Sequence, residues 1–324
     1  MTKLTPDSWM QARNWMFRNA RPLELARWKY HFEQGNKEDV LSALEVYQNE
    51  DGGFGNELEP DSWNPNSSPY STSMAICILE EINFRDSSHP IIEGILRYSE
   101  HTPHFTGKSW PAVIPSNNDY PHAPWWTYSG NDLETRWGYT PTAILAGFIL
   151  RFADQDSSLY EKAAQIAKTA IDCYLHGTTA DGEPYRSLHR EGEIEGFHLL
   201  LTCLEEGGPR DLGDISALKT ALKSQADRFI VRDPSMWKQY CRRPSTYIAS
   251  PGSLFLTDNE KDMDADLSFM VDGRNEDGVW DISWSWGAYE KEFAVSENWW
   301  KGIKALEYML LLKNFNRLEG ESPC

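Results

Sequence analysis

No window of this chain approaches the roughly 18 consecutive apolar residues of a membrane-spanning helix. The opening MTKLTPDSWMQARNW lacks the apolar core of a secretory signal. Both absences lead to the expectation of a cytoplasmic protein with no membrane span. Cysteine is scarce: Cys77, Cys173, Cys203, Cys241 and Cys324 are odd in number, far apart and free of any C-x-x-C pair. That spacing argues against a disulfide framework or a cysteine-built zinc site and reads as reduced, buried thiols. Basic residues are in deficit, 31 Lys and Arg against 49 Asp and Glu, for a formal charge of −18. Such a surface repels polyanions, which argues against nucleic acid or an anionic membrane as partner while leaving room for a local basic pocket. There is no Gly-rich phosphate loop, no G-x-S-x-G elbow, no H-E-x-x-H and no EF-hand loop. No low-complexity linker interrupts the 324 residues, which read as one domain, residues 1–324. Within it, residues 1–36 are expected as N-terminal helices packing on the rest, and 314–324 as a flexible tail.

Aromatic residues and helical periodicity are plentiful. Fourteen Trp and fourteen Tyr exceed what a plain aliphatic core uses. They fill a wide helical core or line a pocket. The long segments fall into two helical kinds. KEDVLSALEVYQ, SSLYEKAAQIAKTAIDCYL and DISALKTALKSQADRFI carry apolar residues at spacings of 3, 4 and 7 with charges opposite. TSMAICILEEI, TPTAILAGFILRF and EIEGFHLLLTCL are apolar nearly all round, as helices surrounded by protein are, and WWKGIKALEYMLLL is a less pure case. The two kinds alternate along the chain. Alternating half-buried and fully buried helices describe an outer ring around an inner one, an all-α, single-domain α/α toroid; an irregular helical domain is the rival. Two long aromatic-rich segments, residues 103–138 and 232–292, break the alternation and are expected as functional loops.

A connector recurs: NEDGGFG at 49–55, TADGEPY at 179–185 and NEDGVWD at 275–281. Asp-Gly favours a tight turn because Gly accepts positive φ. The aromatic after each, Phe54, Tyr185 or Trp280, is placed to fold back and seal the hairpin end.

QNEDGGFG followed by STSMAICILEEI resembles the repeat of the terpene-cyclase and protein-prenyltransferase superfamily, in which a Gln-x-x-Asp-Gly-Gly-Phe/Trp-Gly turn joins the helices of a toroid. NEDGVWDISWSWG resembles a copy without the Gln, and SENWWKGIKALEYMLLLK the helix after such a turn. The resemblance covers about half the chain and implies the toroid. The family's catalytic motifs are not matched. The cyclases' Asp-x-Asp-Asp has only DMDAD as a counterpart, with Asp262, Asp264 and Asp266 two apart, and the prenyltransferase zinc ligands have none.

Three clusters are candidate sites. NELEPD spaces Glu57, Glu59 and Asp61 two apart, which in an extended segment projects all three to one side. Clustered carboxylates raise one another's pKa, as a general acid requires, or bind a divalent cation such as magnesium; a solvated, helix-capping loop is the plainer reading. With Asp264 and Asp266 they are the expected catalytic residues. No resident metal site is assigned and no cofactor is certain. DYPHAPWWTY gathers His122, Trp125, Trp126 and Tyr128 between prolines, suited to a sugar ring, an isoprenoid or a developing carbocation, or else to anchoring a loop. DGVWDISWSWGAY puts Trp280, Trp284 and Trp286 at even spacing, on one side of an extended run, for ligand lining or core packing alike. The resemblance implies an enzyme acting on an isoprenoid or polyprenyl-like substrate, as a cyclase or transferase. Composition equally suits a carbohydrate-active hydrolase or lyase using paired carboxylates on an oligosaccharide, and a non-catalytic binding protein is the third reading. Oligomeric state has no signal in the sequence.

Overall fold

The computed structural model describes residues 2–130, 137–178, 184–185, 190–209 and 212–320. Among these residues the structure is all-α, with twelve α-helices and only isolated β-bridges. The helices are α1 (Pro6–Asn19), α2 (Pro22–Phe32), α3 (Lys37–Glu45), α4 (Pro69–Glu81), α5 (Pro90–His101), α6 (Thr140–Phe152), α7 (Ser158–His176), α8 (Arg190–Glu205), α9 (Ile215–Phe229), α10 (Pro244–Tyr247), α11 (Glu260–Asp272) and α12 (Glu290–Asn314). Two compact units are formed, one from Met1–Val46 with Ala226–Cys324 and one from Tyr47–Gln225. Among the described residues no helix is long and apolar enough to cross a membrane.

The Tyr47–Gln225 unit is organised around α6. Every residue from Pro141 to Leu150 is buried, and α6 packs on α8, α7, α4 and α5. By contrast α7 buries one face, Leu159, Ala163, Ile166, Ala167 and Ala170 among it. Both kinds of helix are therefore present where periodicity placed them. Ser68 starts α4 by accepting the Ser71 N–H at 3.0 Å, with Pro69 in the first turn. α4 is less enclosed than its composition implies. Tyr70, Met74 and Cys77 follow one another at spacings of four and three along its less buried stripe, and Cys77 is exposed. The expectation that Cys77 is a buried thiol is corrected on that ground, while Cys173 and Cys203 are buried and Cys241 half-buried. An ion network crosses this unit: Arg151 bonds closely to Glu80 and meets Glu206 at 2.6 Å, and Arg85 reaches Glu80 at 2.9 Å.

In the other unit α12 packs on α1, α2 and α11, and α2 on α3. The expected loop over 232–292 contains helix α11. Its buried residues Met263, Asp266, Leu267, Met270 and Val271 carry the 3, 4, 7 spacing, which the intervening acids conceal. The expected tail is held as far as Glu319. The Leu4 N–H donates to Arg317 O at 2.7 Å and the Glu319 N–H to Leu4 O at 2.9 Å. Residues 321–324 lie outside the described set.

The recurring connector is a defined turn. In the first copy the Asn49 N–H donates to Gly53 O at 2.8 Å and the Gly52 N–H to Asn49 O at 2.9 Å. In the second the Asn275 N–H donates to Val279 O at 2.8 Å and the Gly278 N–H to Asn275 O at 3.0 Å. Gly52 and Gly278 occupy the same position at φ 92° and 84°, where a side chain is strained. Phe54 and Trp280 are 0% and 4% exposed, so each closes its turn as expected. The third copy falls mostly on residues 179–183, outside the described set, and its flank is seen in a Thr178–Pro184 bridge.

Candidate functional site

After the shared turn the two copies diverge. The second copy passes from Trp280 to the start of α12 at Glu290, the first from Phe54 to α4 at Pro69. The longer connection holds NELEPD. These acids do not lie on an extended strand, which corrects the expected one-sided projection. Asn56 and Glu57 both take left-handed backbone, φ 51° and 60°, and the chain winds through successive turns. The Leu58 N–H donates to Gly55 O at 3.1 Å and the Ser62 N–H to Glu59 O at 3.1 Å. Glu59 Oε1 accepts the Asp61 N–H at 3.1 Å. Glu59 and Asp61 are 4% and 2% exposed, whereas Glu57 is half-buried. A solvated loop would leave such carboxylates in water. Burying them costs several kcal/mol unless partners hold them.

The structure brings this acid turn against the tryptophan loop. Ser62 bridges His122, the Trp63 N–H donates to Pro121 O at 2.9 Å, and the Ala123 N–H to Asp61 O at 2.8 Å. His122 Nδ1 lies 2.7 Å from Tyr120 O and Nε2 3.1 Å from Thr127 Oγ1. A carbonyl only accepts, so Nδ1 carries the proton in the first bond, while Nε2 pairs with the Thr127 hydroxyl. The imidazole is thereby oriented by its own loop. Trp126 is buried, with Trp125 and Tyr128 half-buried beside it; the Tyr128 N–H donates to Asn118 Oδ1 at 2.8 Å.

Sequence reasoning missed several members of this region. Trp126 stacks on Trp137 at 4.8 Å between centroids with planes 1° apart, and Tyr70 meets Trp126 at 4.4 Å. Asn64 and Asn117, both buried, lock the two loops: Asn64 Nδ2 donates to Asn117 Oδ1 at 2.8 Å, and Asn117 Nδ2 to Trp126 O at 3.1 Å. The Asn-Pro-Asn run at 64–66 was the available signal. Another buried carboxylate, Glu193 on α8, accepts the Tyr139 N–H at 2.9 Å and bonds closely to the Tyr185 hydroxyl.

Asp264, Asp266, Trp280, Trp284 and Trp286 belong to the other unit. On α11, residues two apart stand about 200° around the axis. Asp264, half-buried, bonds closely to Arg317. Asp266, fully buried, accepts the Ser245 N–H at 2.8 Å and faces Arg243 Nε at 3.4 Å; Arg243 also donates to the Tyr308 hydroxyl at 2.7 Å. Burial raises the Asp266 pKa, opposed by Arg243 and the Ser245 bonds. The three tryptophans have separate neighbours. Trp280 meets Tyr308, and its N–H donates to Met270 O at 2.9 Å; Trp284 meets Trp300, and Trp286 meets Phe293. Among the described residues no group of three or more His, Cys, Asp and Glu side chains is placed to hold a metal ion.

Beside the acid turn lies a cleft of ≈ 670 Å³, to which Asp51, Asn56, Asn66, Tyr98, His104 and Ser116 contribute. Its lining mixes polar and apolar groups, drawn from the recurring turn, the loop that follows it and residues 98–116. In comparisons with known proteins, the chain matches no family model, no curated protein and no solved structure.

Proposed function

We propose that the protein is a carbohydrate-active enzyme of α/α-toroid type, with Glu59 and Asp61 as its paired carboxylates and the Trp125–Trp126 loop as the surface that meets the sugar. One observation carries the reading. Among the described residues the same turn is formed twice, and the first copy is followed by two buried carboxylates whose segment is bonded through its backbone to a tryptophan loop. The second copy forms its turn without them, so a function beyond the turn accounts for burying charge there. Paired carboxylates supply an acid and a base or nucleophile for glycosidic cleavage, and tryptophan faces stack on sugar rings.

A second reading keeps the site and changes the substrate to an isoprenoid. It is favoured by the turn's likeness to the terpene-cyclase and prenyltransferase repeat and by the Tyr70, Trp126 and Trp137 rings, whose faces would stabilise a carbocation. In that chemistry one buried acid would protonate the substrate.

The test is a product screen by mass spectrometry with oligosaccharides, prenyl diphosphates and polyprenes, run on the wild type, Glu59→Gln and Asp61→Asn. Loss of a general acid or base lowers turnover by about 10²–10⁴-fold. Glycan cleavage abolished in both variants, with unchanged far-UV circular dichroism, supports the first reading. Turnover of prenyl substrates alone replaces it with the second. Turnover indifferent to both substitutions removes Glu59 and Asp61 from the chemistry.

A further inference from the structure

The loop that carries Glu59 and Asp61 has a second face. Asn56, Pro65 and Asn66, on either side of those acids, contribute to the wall of the ≈ 670 Å³ cleft. That volume falls within the range of small-molecule sites, about 300–1,000 Å³. Its other walls come from the recurring turn, from Tyr98 on α5 and from His104 just beyond that helix.

The charge of the cleft restricts its ligand. Glu50 and Asp51 are in the lining, and among the described residues no lysine or arginine is. The His104 pKa is lowered by burial, with Asp51 pulling the other way, so the imidazole is neutral near pH 7. Phosphates and carboxylates are therefore repelled, and among the described residues the wall holds no cationic side chain to offset that.

Several polar groups here remain uncommitted. Asp51 Oδ1 accepts the Gly53 N–H at 2.9 Å and the Ser67 hydroxyl at 2.7 Å, which fixes the carboxylate. Among the described residues its second oxygen has no hydrogen bond, the Glu50 carboxylate forms no ion pair, and neither ring nitrogen of His104 is bonded. Acceptors on Asp51 and Glu50, with one donor and one acceptor on a neutral imidazole, suit a ligand rich in hydroxyl groups. The Pro65 and Pro103 rings supply apolar surface of the kind that covers the C–H face of a sugar, with the buried Tyr98 behind them.

We propose that this cleft is a subsite for a neutral, hydroxyl-rich ligand of one or two sugar rings, separate from the acids that would act on the substrate. The saccharide assignment rests on the glycan reading of Glu59 and Asp61. Occupancy of the cleft is nevertheless measured independently of turnover.

The experiment is ligand-observed saturation-transfer NMR on the full chain with cellobiose, maltose and N-acetylglucosamine, together with the His104 ring resonances. Inorganic phosphate is the anionic control. Two substitutions leave the internal hydrogen bonds of the turn in place, Glu50→Gln and His104→Ala; Asp51→Asn is the more drastic third. At least one saccharide is expected to bind with a Kd of about 1 mM and to shift the His104 ring. Glu50→Gln and His104→Ala are each expected to weaken it about fivefold, consistent with one lost hydrogen bond. Phosphate should shift nothing. If no saccharide shifts the His104 ring, if binding is indifferent to both substitutions, or if phosphate competes, the proposal is overturned. Binding that persists in the cleft while Glu59→Gln retains full turnover sustains this subsite and sinks the reading of the acids.

Discussion

Gly52→Ala tests whether the recurring turn is held by close backbone approach as well as by its φ angle. At φ 92°, alanine costs about 1–2 kcal/mol for the left-handed conformation alone. Its Cβ would also overlap the Gly94 carbonyl of α5, with the carbonyl carbon 2.5 Å away. That neighbour is backbone in a helix and cannot rotate aside, so overpacking adds about 1–3 kcal/mol. The expected cost is about 3 kcal/mol. Gly278→Ala provides the internal comparison. Its φ of 84° imposes the same strain, but the new Cβ meets the side chain of Gln11 at 2.6 Å. That side chain can swing away, giving up its bond to Glu276 O, so the total is about 2 kcal/mol. Urea unfolding followed by tryptophan fluorescence and far-UV circular dichroism reads both. With a slope of about 3 kcal/mol/M, Gly52→Ala moves the midpoint of its transition down by about 1 M. A cost below about 1 kcal/mol for Gly52→Ala, or a larger cost for Gly278→Ala, refutes the close-approach argument.

Three further outcomes are expected. Burial raises the Asp266 pKa above 3.8, so folding favours its protonated form. Its contribution to stability is full below the unfolded pKa and is lost as pH rises through the folded one. Asp266→Asn stays neutral, so the wild type should lose stability relative to the variant across that window; a constant difference in urea midpoints over a pH series refutes this. Cys203 is buried and its pKa is pushed up to about 12, with burial the largest cause. Iodoacetamide at pH 8 should leave it unmodified in the native protein and label it after unfolding, as peptide mass mapping would reveal. Arg151→Met removes the guanidinium that Glu80 and Glu206 share and should cost about 3 kcal/mol by thermal unfolding, with no change expected if the pairs are worth no more than surface ones.

The helices around α6 were legible because ten consecutive buried positions need continuous apolarity, and the face of α7 because one-sided burial imposes a period. The turns were legible because positive φ selects glycine. α11 was hidden because Asp262, Asp264 and Asp266 interrupt its apolar stripe, and one of those acids is itself part of the buried stripe. At the candidate site the residue types of NELEPD and DYPHAPWWTY were recognisable, but their meeting was not. It depends on backbone bonds between residues 61–63 and 121–123, and any residue type makes those. The winding of the acid turn escaped for a related reason. Asn56 and Glu57 adopt left-handed backbone without glycine, so composition gives no warning of it. Trp137 lay in the same aromatic-rich segment but outside DYPHAPWWTY, and Tyr70 lay on α4; only the folded chain brings both rings to Trp126.

The pairing of Leu4 with Leu318, and of α1 with α12, sets a schedule for the nascent chain. At translation rates of about 5–20 residues per second, Leu4 leaves the ribosome roughly 15 to 60 s before its partner is made. During that interval the whole Tyr47–Gln225 unit is synthesised and has time to fold, while Trp9, Trp15 and Met16 of α1 wait without α12. A premature stop late in the message would therefore first harm the earliest helix.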